Sequence, residues 1–169
     1  MTDAQKRMTL AVCGLGSWGL ILFSWLVLEK MLYLNPCHLC MMQRLAFLLI
    51  GLAFLLDAAF FPQSVWGSWL MKFLKYASIF LGIGLAARHL YIQSLPLEKA
   101  PKCGLDFWAT LEHKGYLEGL WQSMQGTGSC AAKDTFLGLT IPTWSMMGFL
   151  VLLVIAVICE NNKPLFRIK

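Results

Sequence analysis

The chain predicts an all-α membrane protein: a bundle of four transmembrane helices with a short interfacial helix in one long polar loop. Three observations lead there. Of the 169 residues, 58% are hydrophobic and 14% charged, too apolar for an ordinary soluble domain of this length. Four stretches reach the roughly 17–25 apolar residues that a helix needs to cross a bilayer core. The polar residues gather between those stretches, so residues 1–169 read as a single integral-membrane domain.

The first span runs from about Thr9 to Leu28, and the lack of a small-residue cleavage site before Glu29 marks it as a retained anchor. A short connection, 29–44, leads to the second span, Leu45 to Phe61, with Arg44 at its mouth. A second connection, 62–72, leads to the third span, Phe73 to Leu95, where Lys72 and Lys75 are placed to snorkel. In the long loop, 96–142, Phe107, Trp108, Leu111, Leu117, Leu120, Trp121 and Met124 recur at helical intervals, with Glu112, Lys114 and Glu118 on other faces. This is an amphipathic helix, lying in the membrane interface or packed on top of the bundle. Pro142 precedes the fourth span, Thr143 to Cys159, where a missing N–H costs a helix little. Gly14, Gly16, Gly19, Gly82 and Gly84 are expected at close helix–helix approaches.

Four spans put both termini on one side and the 29–44 and 96–142 connections together on the other. Lysines and arginines tie at seven on each side, but four of those opposite the termini lie in the long loop among acids. Because the positive-inside rule weights short loops and helix ends, the termini are expected in the cytoplasm. The net charge of +5 then requires no nucleic-acid partner. Phosphate-binding, dinucleotide-binding, zinc-protease and serine-nucleophile motifs are absent from the sequence.

That orientation turns the cysteine-bearing connections toward an oxidising compartment, where disulfides persist. Cys13 and Cys159 fall within spans and read as small apolar fillers. Cys37 and Cys40 form a Cys-X-X-Cys pair in Asn35-Pro36-Cys37-His38-Leu39-Cys40. Such a pair closes a readily exchanged disulfide, and its thiolate is stabilised by a helix N-terminus or a nearby cation. Pro36 can open a helix, His38 lies between the thiols, and Arg44 stands one turn beyond Cys40. Cys103 and Cys130 form a second pair in proline- and glycine-rich surroundings of the long loop. Two separable thiol pairs beside a membrane suggest an electron relay.

A relay needs a terminal acceptor, and beside Cys40 the natural diffusible one in a bilayer is a quinone. Arg44 is a charge at membrane depth, where a partner is expected. His89 lies about six residues inside the end of the third span, roughly 9 Å deep, which can match the Arg44 layer. A guanidinium or imidazole there would hydrogen-bond a quinone carbonyl and stabilise developing negative charge.

Pro36-Cys37-His38-Leu39-Cys40 with Arg44, then Arg88-His89 with Gln93 and Pro96, Cys103, Gly128-Ser129-Cys130, Phe136-Leu137-Gly138-Leu139 and Ile141-Pro142-Thr143-Trp144 resemble the DsbB family of bacterial disulfide bond formation proteins. The likeness spreads over all four spans. It implies a quinone-dependent thiol oxidase of the bacterial inner membrane, using ubiquinone or menaquinone, that reoxidises the periplasmic dithiol oxidase DsbA. DsbA is itself a strong oxidant, at about −120 mV, so its regeneration requires a stronger acceptor. By motif position, Cys103 would be the sulfur attacked by reduced DsbA, and Cys130 would exchange with Cys37. Cys40 would face the quinone, with Arg44 and His89 polarising it, and no metal is implied. His38 departs from the family pattern and is expected to tune the redox poise of the pair.

A vitamin K epoxide reductase-like enzyme shares the helix count and the quinone chemistry, but its active pair belongs at the end of a late helix, after the loop cysteines. The pair here begins the second span. A rival of another class is a non-catalytic protein whose loop disulfides brace a surface, or whose cysteines hold zinc with His38 or His113.

Overall fold

The computed structural model describes residues 2–60, 65–96, 99, 101 and 104–161. It contains four helices long and apolar enough to cross a membrane, and the chain is a helical membrane bundle. The first span is α1 (Asp3–Phe23), which continues into a π-helical segment, Ser24–Met31. The others are α2 (His38–Phe60), α3 (Val65–Ser94) and α6 (Ile141–Asn161). Leu22, Phe80, Leu150 and Val154 face outward, as lipid contact requires.

Packing follows chain order: α1 lies on α2, α2 on α3, and α3 on α6. Gly14 and Gly51 bring α1 and α2 together, since a Cβ on Gly14 would sit 3.0 Å from the Gly51 carbonyl oxygen. Gly82 makes room for the ring of Phe149, which stacks on Phe47 with centroids 4.2 Å apart. Gly16, Gly19 and Gly84 meet nothing within 4 Å of an added Cβ, so they are not close-packing positions here.

The terminal end of the bundle is tied by charge. Lys75 does not snorkel: it is 1% exposed, and its Nζ lies 2.7 Å from Asp57 and 3.4 Å from Glu160. Tyr76 donates to Glu160 at 3.2 Å. One ammonium thus joins α2, α3 and α6 where burial forbids leaving any of the three charges alone.

Opposite the termini, the amphipathic stretch forms two helices instead of one, α4 (Phe107–Lys114) and α5 (Tyr116–Gln125). Gly115, at φ 80°, breaks the run between them. Phe107 and Leu111 are buried on the bundle, and α5 contacts α2. Trp108, Leu117 and Trp121 remain exposed. After α5 come a 3₁₀ turn, Gly128–Ala131, and a hairpin of β1 (Thr135–Phe136) and β2 (Leu139–Thr140). Leu137 and Gly138 take positive φ at 50° and 83°, as a two-residue hairpin turn demands. The Trp144 indole donates to the Phe136 carbonyl at 2.9 Å, fastening the hairpin to α6.

Candidate active site

α2 starts at His38 and not near Leu45, which moves the Cys-X-X-Cys pair from a connection onto a helix N-terminus. Pro36, without an N–H, precedes this start at no cost in hydrogen bonding. Cys37 takes the capping position, and its sulfur accepts from the Cys40 backbone N–H at 3.3 Å. That is the bond a serine or threonine cap makes to the third helical residue. The Leu39 N–H, one residue earlier, points to the Cys130 sulfur. Two free N–H groups of one helix end therefore face sulfur, where the helix dipole favours negative charge.

The 3₁₀ turn delivers Cys130 to this point. Gly126 allows it: at φ 80° its missing Cβ would lie 2.6 Å from Ile92 Cδ1 and 2.9 Å from Leu39 Cδ1. The chain therefore lies close against α2 and α3 just before the turn. The Cys37 and Cys40 sulfurs are 3.0 Å apart, so closing a bond of about 2.0 Å needs only a small movement. The ligand atoms of Cys37, His89 and Cys130 lie within 4.8 Å of one another, all buried. They have the donor types and spacing to hold a thiophilic metal ion as well as to exchange a disulfide. Cys103 lies outside the described residues.

Charge is distributed unequally among the thiols. The hydrogen bond from Cys37 is the main cause that lowers the Cys130 thiol to about 6, against the opposing effect of burial. The Leu39 and Thr127 N–H groups and the Thr127 hydroxyl help. The same contact with Cys130, followed by that with Cys40 and by burial, holds Cys37 well above the usual thiol range. Cys130 therefore holds negative charge more readily than Cys37.

His89, 2% exposed on α3, reaches the thiols. One ring nitrogen is 3.7 Å from the Cys37 sulfur, and the other is 3.3 Å from the Gln43 amide nitrogen. An amide N–H can only donate, so Nδ1 accepts and Nε2 carries the hydrogen, which the Cys130 carbonyl and the Cys37 sulfur share. Arg44 has the partner its depth requires: it pairs with Glu29, and Nη2 donates to Ser24 Oγ at 2.8 Å. The π-helical segment supplies both, because its i→i+5 turn brings residues five apart toward one face. Glu29 is the lone carboxylate of the 29–44 connection, a signal for pairing with Arg44 that the sequence reading passed over. Gln43, polar within an apolar run, was a similar signal.

Arg44, His89 and Cys40 share the wall of a cavity of about 770 Å³. It runs between α1 and α6, past Gly16 and Leu20 on one side and Gly148 and Val151 on the other. Its end near the thiols is polar and its length apolar. His38 faces away from this cavity, and Cys159 is buried in the terminal half of α6.

The family profile described as Disulfide bond formation protein DsbB matches residues 6–159. The chain belongs to the DsbB family. A relative named Disulfide bond formation protein B from Hahella chejuensis is 40% identical over 146 residues, 86% of this chain and 87% of that one. One of the same name from Methylobacillus flagellatus is 38% identical over 153 residues, 90% of this chain and 89% of that one. A third, from Nitrosococcus oceani, is 40% identical over 124 residues, 73% of each chain. Membership of the DsbB family makes this a multi-pass membrane oxidoreductase of disulfide formation.

Proposed function

We propose that this DsbB-family protein reoxidises a DsbA-like thioredoxin-fold dithiol oxidase and passes the electrons to a membrane quinone, ubiquinone or menaquinone. It works in the bacterial inner membrane with both termini cytoplasmic and the cysteine connections periplasmic. Each cycle turns one partner dithiol into a disulfide. The quinone, when bound, accepts the two electrons and two protons.

The partner's thiolate attacks Cys103 of a Cys103–Cys130 disulfide, and Cys130 leaves. The Cys130 thiolate attacks Cys37 of the Cys37–Cys40 disulfide, and Cys40 leaves as the thiolate that faces the acceptor. Release of oxidised partner frees Cys103 as a thiol. Its attack on Cys130 restores the loop disulfide and expels Cys37. The electron pair of Cys37 and Cys40 passes to the acceptor as their disulfide closes.

The observation that carries this reading is the meeting of Cys130, Cys37 and Cys40 at the α2 N-terminus, beside a cavity walled by Arg44. An apolar channel with a cation and an imidazole at its head fits a ring carbonyl on an isoprenoid chain. Arg44 would polarise that carbonyl while Glu29 and Ser24 hold the guanidinium in place. His89 borders the same space, and its Nε2 lies 3.7 Å from Cys37, the thiolate expelled when Cys103 attacks.

The test is optical quinone reduction by the detergent-solubilised protein supplied with reduced DsbA. Wild type should turn over, and Cys40→Ser and Cys103→Ser should not. Turnover by Cys103→Ser at the wild-type rate, or none by the wild type with either quinone, would overturn the reading. Metal content measured on the same preparation separates the relay from a zinc site on Cys37, His89 and Cys130, which would bind metal stoichiometrically.

A further inference from the structure

His38 stands between the two thiols in sequence, yet its ring serves neither. It is 3% exposed and turns to the long loop, with its ring edge on Phe107 at a centroid distance of 5.9 Å. Nε2 is 3.2 Å from Thr110 Oγ1, and Nδ1 is 3.1 Å from Thr127 Oγ1. Thr127 opens the 3₁₀ turn that carries Cys130, and its hydroxyl also reaches the Cys130 sulfur.

Counting hydrogens orders this chain of contacts. Thr110 Oγ1 lies 2.8 Å from the Asp106 carbonyl, which can only accept, so the one hydroxyl hydrogen of Thr110 goes there. The Thr110 oxygen then accepts from His38, which places the imidazole hydrogen on Nε2. Nδ1 is left bare and takes the hydrogen of Thr127. Ser129, 2.8 Å away, donates to Thr127 in turn. Thr127 has one hydrogen and two claimants, His38 Nδ1 and the Cys130 sulfur.

We infer that His38 is a positioning residue for Cys130: through Thr127 it latches the Cys130 turn onto the start of α2 and draws the Thr127 hydroxyl away from the Cys130 sulfur. The inference rests on the relay proposed above, because its consequence is the ease with which Cys130 exchanges with Cys37. With the latch closed, Cys130 stays beside Cys37 with one fewer donor holding its charge. The sulfur is then the better nucleophile, since hydrogen bonding to a thiolate lowers its reactivity as it lowers its pKa.

The experiment isolates that exchange in the full chain, in a Cys40→Ser/Cys103→Ser background, by following the Cys37–Cys130 disulfide in a glutathione redox buffer. His38→Asn keeps a polar atom near the Nδ1 position and the contact with Thr127. His38→Gln reaches the Nε2 position and keeps only the contact with Thr110, and His38→Leu loses both. Exchange should slow about fivefold in His38→Gln and His38→Leu, the factor of one ordinary hydrogen bond, and stay near the parent rate in His38→Asn. Thr127→Val loses the latch without returning a hydroxyl to Cys130, so it should slow exchange less than His38→Leu does, and Thr127→Ser should hold the parent rate, which keeps the test valid if a His38 variant fails to fold. Equal rates in all variants, or equal loss in His38→Asn and His38→Gln, would overturn the inference. If the disulfide does not form in the parent background, the relay itself fails.

Discussion

At the scale of single residues, this site is a question of which sulfur carries charge. Cys37 and Cys130 are chemically identical side chains made unequal by their neighbours. Cys130 gathers a hydrogen bond from Cys37 and two backbone N–H groups, with the Thr127 hydroxyl shared between it and His38. Each favours the ionised form. An acidic group whose pKa is depressed keeps its charge above the folded value and loses it only as pH falls through that value. The thiolate absorbance that distinguishes the reduced wild type from Cys130→Ser should therefore persist down to about pH 6 and fade below it. A midpoint above pH 8 would show that the three thiols do not share their protons in this way. Cys37 should stay protonated throughout that range, because the same contact holds its thiol well above the usual value.

The elements decide how closely those residues meet. α2 gives its first N–H groups to sulfur because Pro36 and Cys37 start the helix before the apolar run begins. The turn after α5 approaches α2 because residue 126 has no side chain. Gly126→Ala must displace Leu39 or Ile92 and hold a strained φ at once. A loss of about 1–3 kcal/mol in stability is expected, with slower Cys37–Cys130 exchange because the turn moves outward. Thermal unfolding in detergent and the exchange assay read the two effects separately. Unchanged exchange would mean that the turn finds its position without this close approach. The π-helical segment works by the same logic, since its wider turn presents both Ser24 and Glu29 to Arg44.

Over the whole molecule, the two ends of the bundle are built differently. The end bearing the thiols is a polar chamber opening into a cavity between α1 and α6. The terminal end is closed by Lys75 between Asp57 and Glu160. Lys75→Ala removes the ammonium that Asp57 and Glu160 share in a confined space. The expected cost is about 3 kcal/mol, the lower end of the range for breaking a buried pair, because both carboxylates keep some exposure. Detergent unfolding of Lys75→Ala checks this, and a change under about 1 kcal/mol would mean that solvent already screens the cluster. The cavity persists because the contacts join α1 to α2, α2 to α3 and α3 to α6, leaving the α1–α6 seam to be filled by a ligand or lipid.

Four spans were legible in composition and spacing, because crossing a bilayer demands an uninterrupted apolar length whatever the tertiary arrangement. Arg44 as a buried charge needing a partner was legible for the same reason. The partner was not, because it depends on a local widening of the first helix that no apolar periodicity reports. The apolar run from Leu45 marks where the segment becomes apolar, while the helix that Pro36 was expected to open begins where its first N–H groups find acceptors, here two sulfurs. His38 looked like a neighbour of the thiols because it sits between them in the chain. Successive residues on a helix point about 100° apart, so the side chain between Cys37 and Cys40 turns instead to Thr110 and Thr127. Contacts across 72 and 89 residues follow from packing the long loop onto the bundle, and only the assembled fold brings those atoms within reach.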